Sequence, residues 1–331
     1  MARRLFKICI ALVLLALIAV GSGFGWGYAQ FTRPGLGAMD RDLILAKGQG
    51  LRDIAMQLAD SGVISGSLVF RLGVRLGGWS RDLKAGEFRF PAKTSMRGVV
   101  RILRQGKTIV RRVTIPEGLS SAMVVALLRR TEGLRGENVQ NPRGPGEGTL
   151  LPETYHFSHG DERAQLVARM TAAMDKTVAE LWRGRAKGLP LKSPWDAVIL
   201  ASIVEKETSL RAERARVAGV FINRLRLGMR LQSDPTVVFG LTGGGKPLGR
   251  PLRRGDLDLA TPYNTYRIDG LPPGPIANPG RAALRAVLHP TIGKDLYFVA
   301  DGSGAHAFAA TFAEHKRNVK RWRRLKAKGA K

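Results

Sequence analysis

The chain has 331 residues and carries 54 lysines and arginines against 26 aspartates and glutamates, a formal net charge of +28. That length gives room for about two domains with an ample core and excludes a peptide-sized accessory. The one cysteine, Cys9, excludes an internal disulfide, so stability has to come from packing.

From Ile8 to Thr32 no residue is charged, a stretch long enough to cross a bilayer even with its Gly-rich end, Gly21 to Gly27. Arg3, Arg4 and Lys7 precede it, while Trp26 and Tyr28 suit the opposite interface. The positive-inside rule keeps the short basic end in the cytoplasm and puts the rest beyond the plasma (inner) membrane, in the periplasm or another extracytoplasmic space. A cleaved secretory signal is the alternative, because the strongly apolar core runs only from Ile8 to Val20. No clean A-x-A site follows it, and Gly21-Ser22-Gly23 substitutes poorly. Either way the bulk is exported, which excludes the nucleic-acid partner that this charge would suggest in the cytosol. Anionic lipid headgroups or an acidic wall polymer are the partners left, unless the arginines simply solvate the surface.

Thr32 to Ala38 reads as a linker and Asp40 to Ala46 as a strand. Gly50 then marks a turn. Ile54, Ala55, Leu58 and Ala59 follow at helical spacing, and Gly62 is a stop. A second helix is predicted from Ser67 to Leu76, a strand ending near Pro91, a helix from Ser95 to Arg104 and a turn at Gly106. The order strand, Gly turn, helix returns more weakly in VTIPEGLSSAMVVALLRR, around Gly118 and Leu119. From Thr131 to Gly148 the chain is polar and rich in Gly and Pro, a predicted surface loop. Helices are predicted from Asp161 to Arg183, from Pro194 to Leu210 with Ser193 as cap, and from Glu213 to Leu227. Short segments broken by Pro and Gly lead to a strand in LYFVAD and a basic helix from Thr311 to Lys326.

LASIVEKET, residues 200–208, carries the chemistry. At 100° per residue Glu207 lies about 20° from Leu200, on the face of Ala197, Ile203 and Val204, while Glu205 points nearly the opposite way. A carboxyl among apolar neighbours keeps its proton to higher pH and can donate it. A buried ion pair with an arginine between 211 and 216 is the bland reading of Glu207, and a solvated partner of Lys206 or Arg211 that of Glu205. Gln232 and Asn264 can hold amide groups bidentately, and Tyr263 or Tyr266 can stack on a flat apolar ligand face while offering a hydroxyl. Asp234 precedes Pro235 and suits either a turn or a ligand; Glu153, in LPETY, suits either a cap or a cleft wall. The five histidines show no metal spacing, so no metal and no cofactor are expected. GLTGGGK, residues 240–246, is followed by Pro247 rather than a phosphate-loop Ser or Thr and is predicted as a flexible hairpin beside the groove.

ASIVEKET, FINRLRLGMRLQSDPTV, TPYNTY, GLPPGPIANPG and LYFVADGSGAHAF occur in that order, with LPETYHF before them. Together they resemble the endolytic murein transglycosylase family, also called YceG-like. KGQGLRDIA resembles the start of a LysM peptidoglycan-binding module. The resemblance implies cleavage of the β-1,4 bond between N-acetylmuramic acid and N-acetylglucosamine in nascent glycan strands, leaving 1,6-anhydro ends. One acid does both proton transfers, and the family's motif maps it onto Glu207, with Thr208 where related enzymes often carry Ser. It also implies peptidoglycan as partner and, with it, penicillin-binding proteins and other wall-synthesis enzymes. A non-catalytic wall-binding scaffold is the rival. The expected architecture is α+β: a cytoplasmic tip and anchor over 1–32, a LysM-like module over 33–111, and a mixed catalytic domain over 112–331 with its acid on a helix.

Overall fold

The computed structural model describes residues 2–136 and 145–329. Part of the loop predicted between Thr131 and Gly148, residues 137–144, lies outside the described residues. Contacts divide the chain into two units, residues 1–111 with 157–160, and residues 112–156 with 161–331.

The first unit begins with helix α1 (Ala2–Thr32), whose stretch Phe6–Thr32 is the one helix among the described residues long and apolar enough to cross a membrane. The expected linker follows, with no helix or strand over residues 33–40. Phe31 is buried, stacks on Trp79 and fills the space left open by Gly73. Strand β1 (Arg41–Leu45), helix α2 (Leu51–Asp60), helix α3 (Ser67–Leu76) and strand β2 (Gly86–Phe90) follow, and β1 and β2 pair antiparallel with Leu43 opposite Phe88. Helix α4 (Met96–Gln105) is capped at its start by Ser95, whose hydroxyl accepts from Gly98 N, and ends on Gly106 at φ +66°, a conformation costly for any residue with a Cβ. Phe70, Phe88, Phe90, Leu58 and Leu103 fill the core between these elements.

Strand β3 (Val110–Thr114) pairs with strand β5 (Thr154–Ser158); in the second unit, Thr114 and Thr154 share a hydroxyl hydrogen bond of 2.9 Å. Between them lie helix α5 (Ser121–Arg130), capped by Ser120, and strand β4 (Leu134–Arg135), which pairs parallel with strand β6 (Asp161–Glu162). The strand, turn and helix order around Gly118 is therefore observed, with Gly118 at φ +77°. Helices α6 (Arg163–Arg183), α7 (Pro194–Glu207) and α8 (Arg214–Arg226) form within a residue or two of their predicted starts. Helix α7 stops at Glu207 rather than Leu210, because Thr208 is extended at φ −144°.

Beyond α8 the sequence hid three helices among its Pro and Gly punctuation: α9 (Asp234–Thr242), α10 (Arg254–Asp258) and α11 (Arg281–Leu288). Strands β7 (Tyr297–Ala300) and β8 (His306–Ala309) then pair antiparallel, and helix α12 (Phe312–Gly329) closes the described chain. Helix α7 is the axis of this unit, in contact with α6, α8, α9 and α11. Every residue from Ala197 to Val204 is buried, so α7 is not the amphipathic helix that its 3.6-residue pattern suggests. The mixed α/β class is present, with strands only in separate pairs among the described residues.

Candidate active site

Helix α7 aims Glu207 from its last turn. Its start is secured by Ser193, which accepts from Asp196 N at 3.2 Å and has Pro194 behind it at the first helical position. At its other end Glu207 Oε1 accepts a 2.5 Å hydrogen bond from Ser233 Oγ. Burial pushes the Glu207 carboxyl above the ordinary carboxylate range; the Ser233 hydroxyl pulls it down and the nearby Asp234 charge pushes it up.

Ser233, skipped by the sequence reading although both its neighbours were singled out, is held from several sides. Its backbone N donates to Thr265 Oγ1 at 2.9 Å, and its carbonyl accepts from Thr236 Oγ1 at 2.6 Å. Gln232 sits just before it at φ +50°, a conformation rare outside glycine, and its N–H donates to the Thr265 carbonyl at 3.1 Å. Arg224, buried on α8, fixes the approach to this turn by donating to the Leu231 carbonyl at 2.8 Å and to the Leu296 carbonyl at 2.7 Å. Burial lowers the pKa of its guanidinium, whose charge in turn favours the Glu207 carboxylate.

The predicted residues separate. Asp234 is exposed at the first position of α9, and its Oδ1 accepts from the Tyr266 hydroxyl at 2.6 Å, so its turn role is not amide capping. Burial, followed by that contact, raises the Tyr266 phenol. Gln232 is exposed, and Tyr263 is half-buried with its ring 4.8 Å from that of Phe239. Thr208 is buried and accepts from Leu210 N at 3.1 Å, shaping the turn after the acid. Asn264 faces no groove. It is fully buried, its amide donates to the carbonyls of Leu257 and Leu259, and its oxygen accepts from Tyr266 N, so it fixes the TPYNTY turn instead. Glu153 is exposed, and no contact among the described residues joins it to Glu207; its carbonyl accepts from Ile115 N.

Glu205 corrects the sequence reading most. It is no solvated partner of Lys206: its side chain is 3% exposed, pairs with Arg214 at 2.8 Å and accepts from Gly280 N at 2.9 Å. The buried ion pair considered for Glu207 belongs to its neighbour. GLTGGGK is corrected too. Residues 240–242 finish α9, and Gly243 at φ +61° caps it, so no hairpin forms. The segment after the cap lines an open cavity of about 390 Å³ together with Lys206, Asp234, Phe239 and Ile276. Glu207 itself is not in that lining, but its chain neighbour Lys206 and Asp234 are. His306 Nδ1 donates to Glu213 Oε2 at 2.7 Å, and a positive charge on that ring favours the Glu207 carboxylate.

A buried carboxyl at the end of a core helix, its pKa raised by burial and bonded to a hydroxyl, has the chemistry of a proton donor in a mixed α/β protein. The model of the YceG-like family matches residues 43–321, and the chain belongs to that family. It is 36% identical over 178 residues to the endolytic murein transglycosylase of Bacillus subtilis strain 168, covering 54% of this chain and 48% of that protein. It is 27% identical over 354 aligned positions to the endolytic murein transglycosylase of Streptococcus pneumoniae strain D39, covering 93% of this chain and 63% of that one. The chain thus spans about half to two thirds of the length of these relatives. A crystal structure of a yceG-like protein from Listeria monocytogenes superimposes with a TM-score of 0.51 at 29% identity, over 84% of this chain and 98% of that one.

Proposed function

We propose that this chain is a membrane-anchored lytic transglycosylase that cuts the β-1,4 bond between N-acetylmuramic acid and N-acetylglucosamine inside glycan strands. The observation that carries the reading is Glu207, a carboxyl whose pKa burial raises, hydrogen-bonded to Ser233 at 2.5 Å in a family whose relatives bear the endolytic murein transglycosylase name. Protonated Glu207 donates to the glycosidic oxygen as the bond to the anomeric carbon breaks. The resulting carboxylate, steadied by Ser233 and the Arg224 charge, takes the proton of the muramic acid 6-hydroxyl as that oxygen attacks the same carbon. No water is consumed, a 1,6-anhydro ring closes, and Glu207 ends protonated. Gln232, Asp234, Tyr263, Tyr266 and Thr208 are the groove residues in this reading, and Glu153 is an outlying wall.

The βααβ order of β1, α2, α3 and β2 with its antiparallel pairing supports a LysM-like, glycan-binding first unit. The apolar helix α1 supports a single span with its short basic end in the cytoplasm and the catalytic unit outside, within reach of penicillin-binding proteins. Glu207→Gln keeps the shape of the side chain and removes the transferable proton. Incubated with purified glycan strands, it should yield no 1,6-anhydro ends by mass spectrometry of the products, while retaining strand binding; product formation at the wild-type rate sinks the assignment. Reducing ends from the wild-type enzyme would point instead to hydrolysis, with Asp234 as a second carboxylate. A pure scaffold would bind strands and cut none.

A further inference from the structure

The first unit carries two adjoining cavities of opposite character, and neither belongs to the Glu207 site. One is an apolar groove of about 450 Å³ between the end of α1, through Phe24, Tyr28 and Phe31, and the outer face of α3. That face exposes Leu68, Leu72 and Leu76, at 61%, 50% and 75%, while Phe70 and Val74 on the opposite face are buried in the core. Helix α3 is therefore apolar on both sides, and its outer leucines lie beside the stretch of α1 that would leave the hydrocarbon. The second cavity, about 630 Å³, is lined by Lys84, Arg97, Arg101 and Arg104 against the single carboxylate of Asp82. Arg97, Arg101 and Arg104 share one face of α4 at positions i, i+4 and i+7. Asp82 pairs with Arg104 at 3.2 Å, and Lys84, Arg97 and Arg101 have no ion-pair partner among the described residues. Trp79 and Arg97 line both cavities. Trp79 stacks on Phe31 on one side, and the Arg104 guanidinium lies 5.4 Å from its ring centroid.

A ligand that meets both cavities must have an apolar body and a multiply hydrogen-bonding anionic end, joined within the width of one indole. We propose that the first unit binds an anionic phospholipid of the membrane that holds α1, its acyl chains along Leu68, Leu72 and Leu76 and its phosphate headgroup among Lys84, Arg97 and Arg101. The guanidinium forks supply paired donors to phosphate oxygens, and a surrounding membrane surface adds to the attraction of each cation. A free anion has no use for the groove, and a zwitterionic lipid cancels the pull of the cleft. Such a site would tie the first unit to the bilayer surface at a second point beyond the span. The inference rests on the proposal that α1 stays in a membrane.

The test uses the full chain, purified in mild detergent and analysed by native mass spectrometry after exposure to dioleoyl phosphatidylglycerol, dioleoyl phosphatidylcholine or excess inorganic phosphate. Wild type should retain one phosphatidylglycerol under conditions that strip phosphatidylcholine, and phosphate should not displace it. Arg97→Gln/Arg101→Gln should weaken retention about tenfold. Leu72→Ser, exposed in the apolar groove, should weaken it as well, with melting of both variants and their glycan cleavage unchanged. Equal retention of the two lipids, undiminished retention by the arginine variant, or displacement by phosphate would each overturn the site. Carbonate extraction of cell membranes reads the anchor separately. A wild-type chain that stays in the pellet but shows no lipid preference is anchored without the site, whereas one that extracts fully overturns the anchor and this inference together.

Discussion

Glu207 and Ser233 meet across 26 residues of chain, and their 2.5 Å contact sets two opposed pulls on one proton. Burial favours the neutral acid, and the hydroxyl favours the carboxylate. The first step needs the neutral form, so activity should fall as pH rises through the Glu207 pKa. Ser233→Ala removes a pull towards the carboxylate, so that falling limb should move to higher pH while kcat drops about tenfold through lost positioning. A pH profile with an unmoved limb would reduce Ser233 to packing. The same burial has a cost in stability. Glu207 holds its proton more tightly folded than unfolded, so between the ordinary carboxylate pKa and its own raised value the folded state binds more protons, and stability declines with rising pH. Glu207→Gln should therefore melt above wild type at pH 7 and converge with it below about pH 4, read by calorimetry across that range. The motif and the helical angle both single out Glu207, and the structure buries that carboxyl. Ser233 carries no such signal: a serine before Asp-Pro reads as a helix start, which it is, and nothing local tells that its hydroxyl reaches Glu207. Asn264 misled for the converse reason: an amide in a loop looks the same in sequence whether it faces ligand or holds two carbonyls.

At the scale of elements, the arrangement that holds Glu207 in place depends on its neighbour. Arg214, the first residue of α8, bonds Glu205 of α7 at 2.8 Å and Glu117, ahead of α5, at 3.1 Å. One guanidinium thus joins three segments, and burial raises the Glu205 carboxyl, a sign that the pair is kept at the expense of solvation. Arg214→Ala strands the Glu205 charge and should destabilise the protein by about 3 kcal/mol, whereas Glu205→Gln/Arg214→Met should recover most of that loss. Urea unfolding of the two variants measures the difference; equal losses would mean that shape rather than charge holds the junction. None of this is visible in the nonapeptide LASIVEKET, because helical periodicity assumes one solvent face. Helix α7 has none between Ala197 and Val204, being enclosed by α6, α8, α9 and α11. Helices α9 and α11 were illegible for a different reason. They are 9 and 8 residues long and lie among Pro and Gly, so their stability comes from the contacts of Val237, Leu284 and Val287 with the core rather than from local propensity.

At the scale of the whole chain, the question is whether α1 is a detachable leader. Its composition admits a signal sequence as readily as an anchor. Its packing limits how much of it can be removed. Phe31 is 7% exposed, stacks on Trp79 at 6.5 Å and occupies the space beside Gly73 where any Cβ would collide with its ring. The last turn of α1 is thus a core element of the first unit, and α1 also touches α4. A chain beginning at Gly21 keeps Phe31 and should leave the first unit as stable as in the full chain. A chain beginning at Arg33 removes the aromatic and opens a cavity against Trp79 and Gly73. It should lose about 3 kcal/mol, as should Phe31→Ala in the full chain, with the loss confined to amides of α3, α4 and β2 in hydrogen exchange. Unchanged protection there would make the contact incidental. The predicted loss in both variants would mean that the end of α1 and the first unit fold as one body.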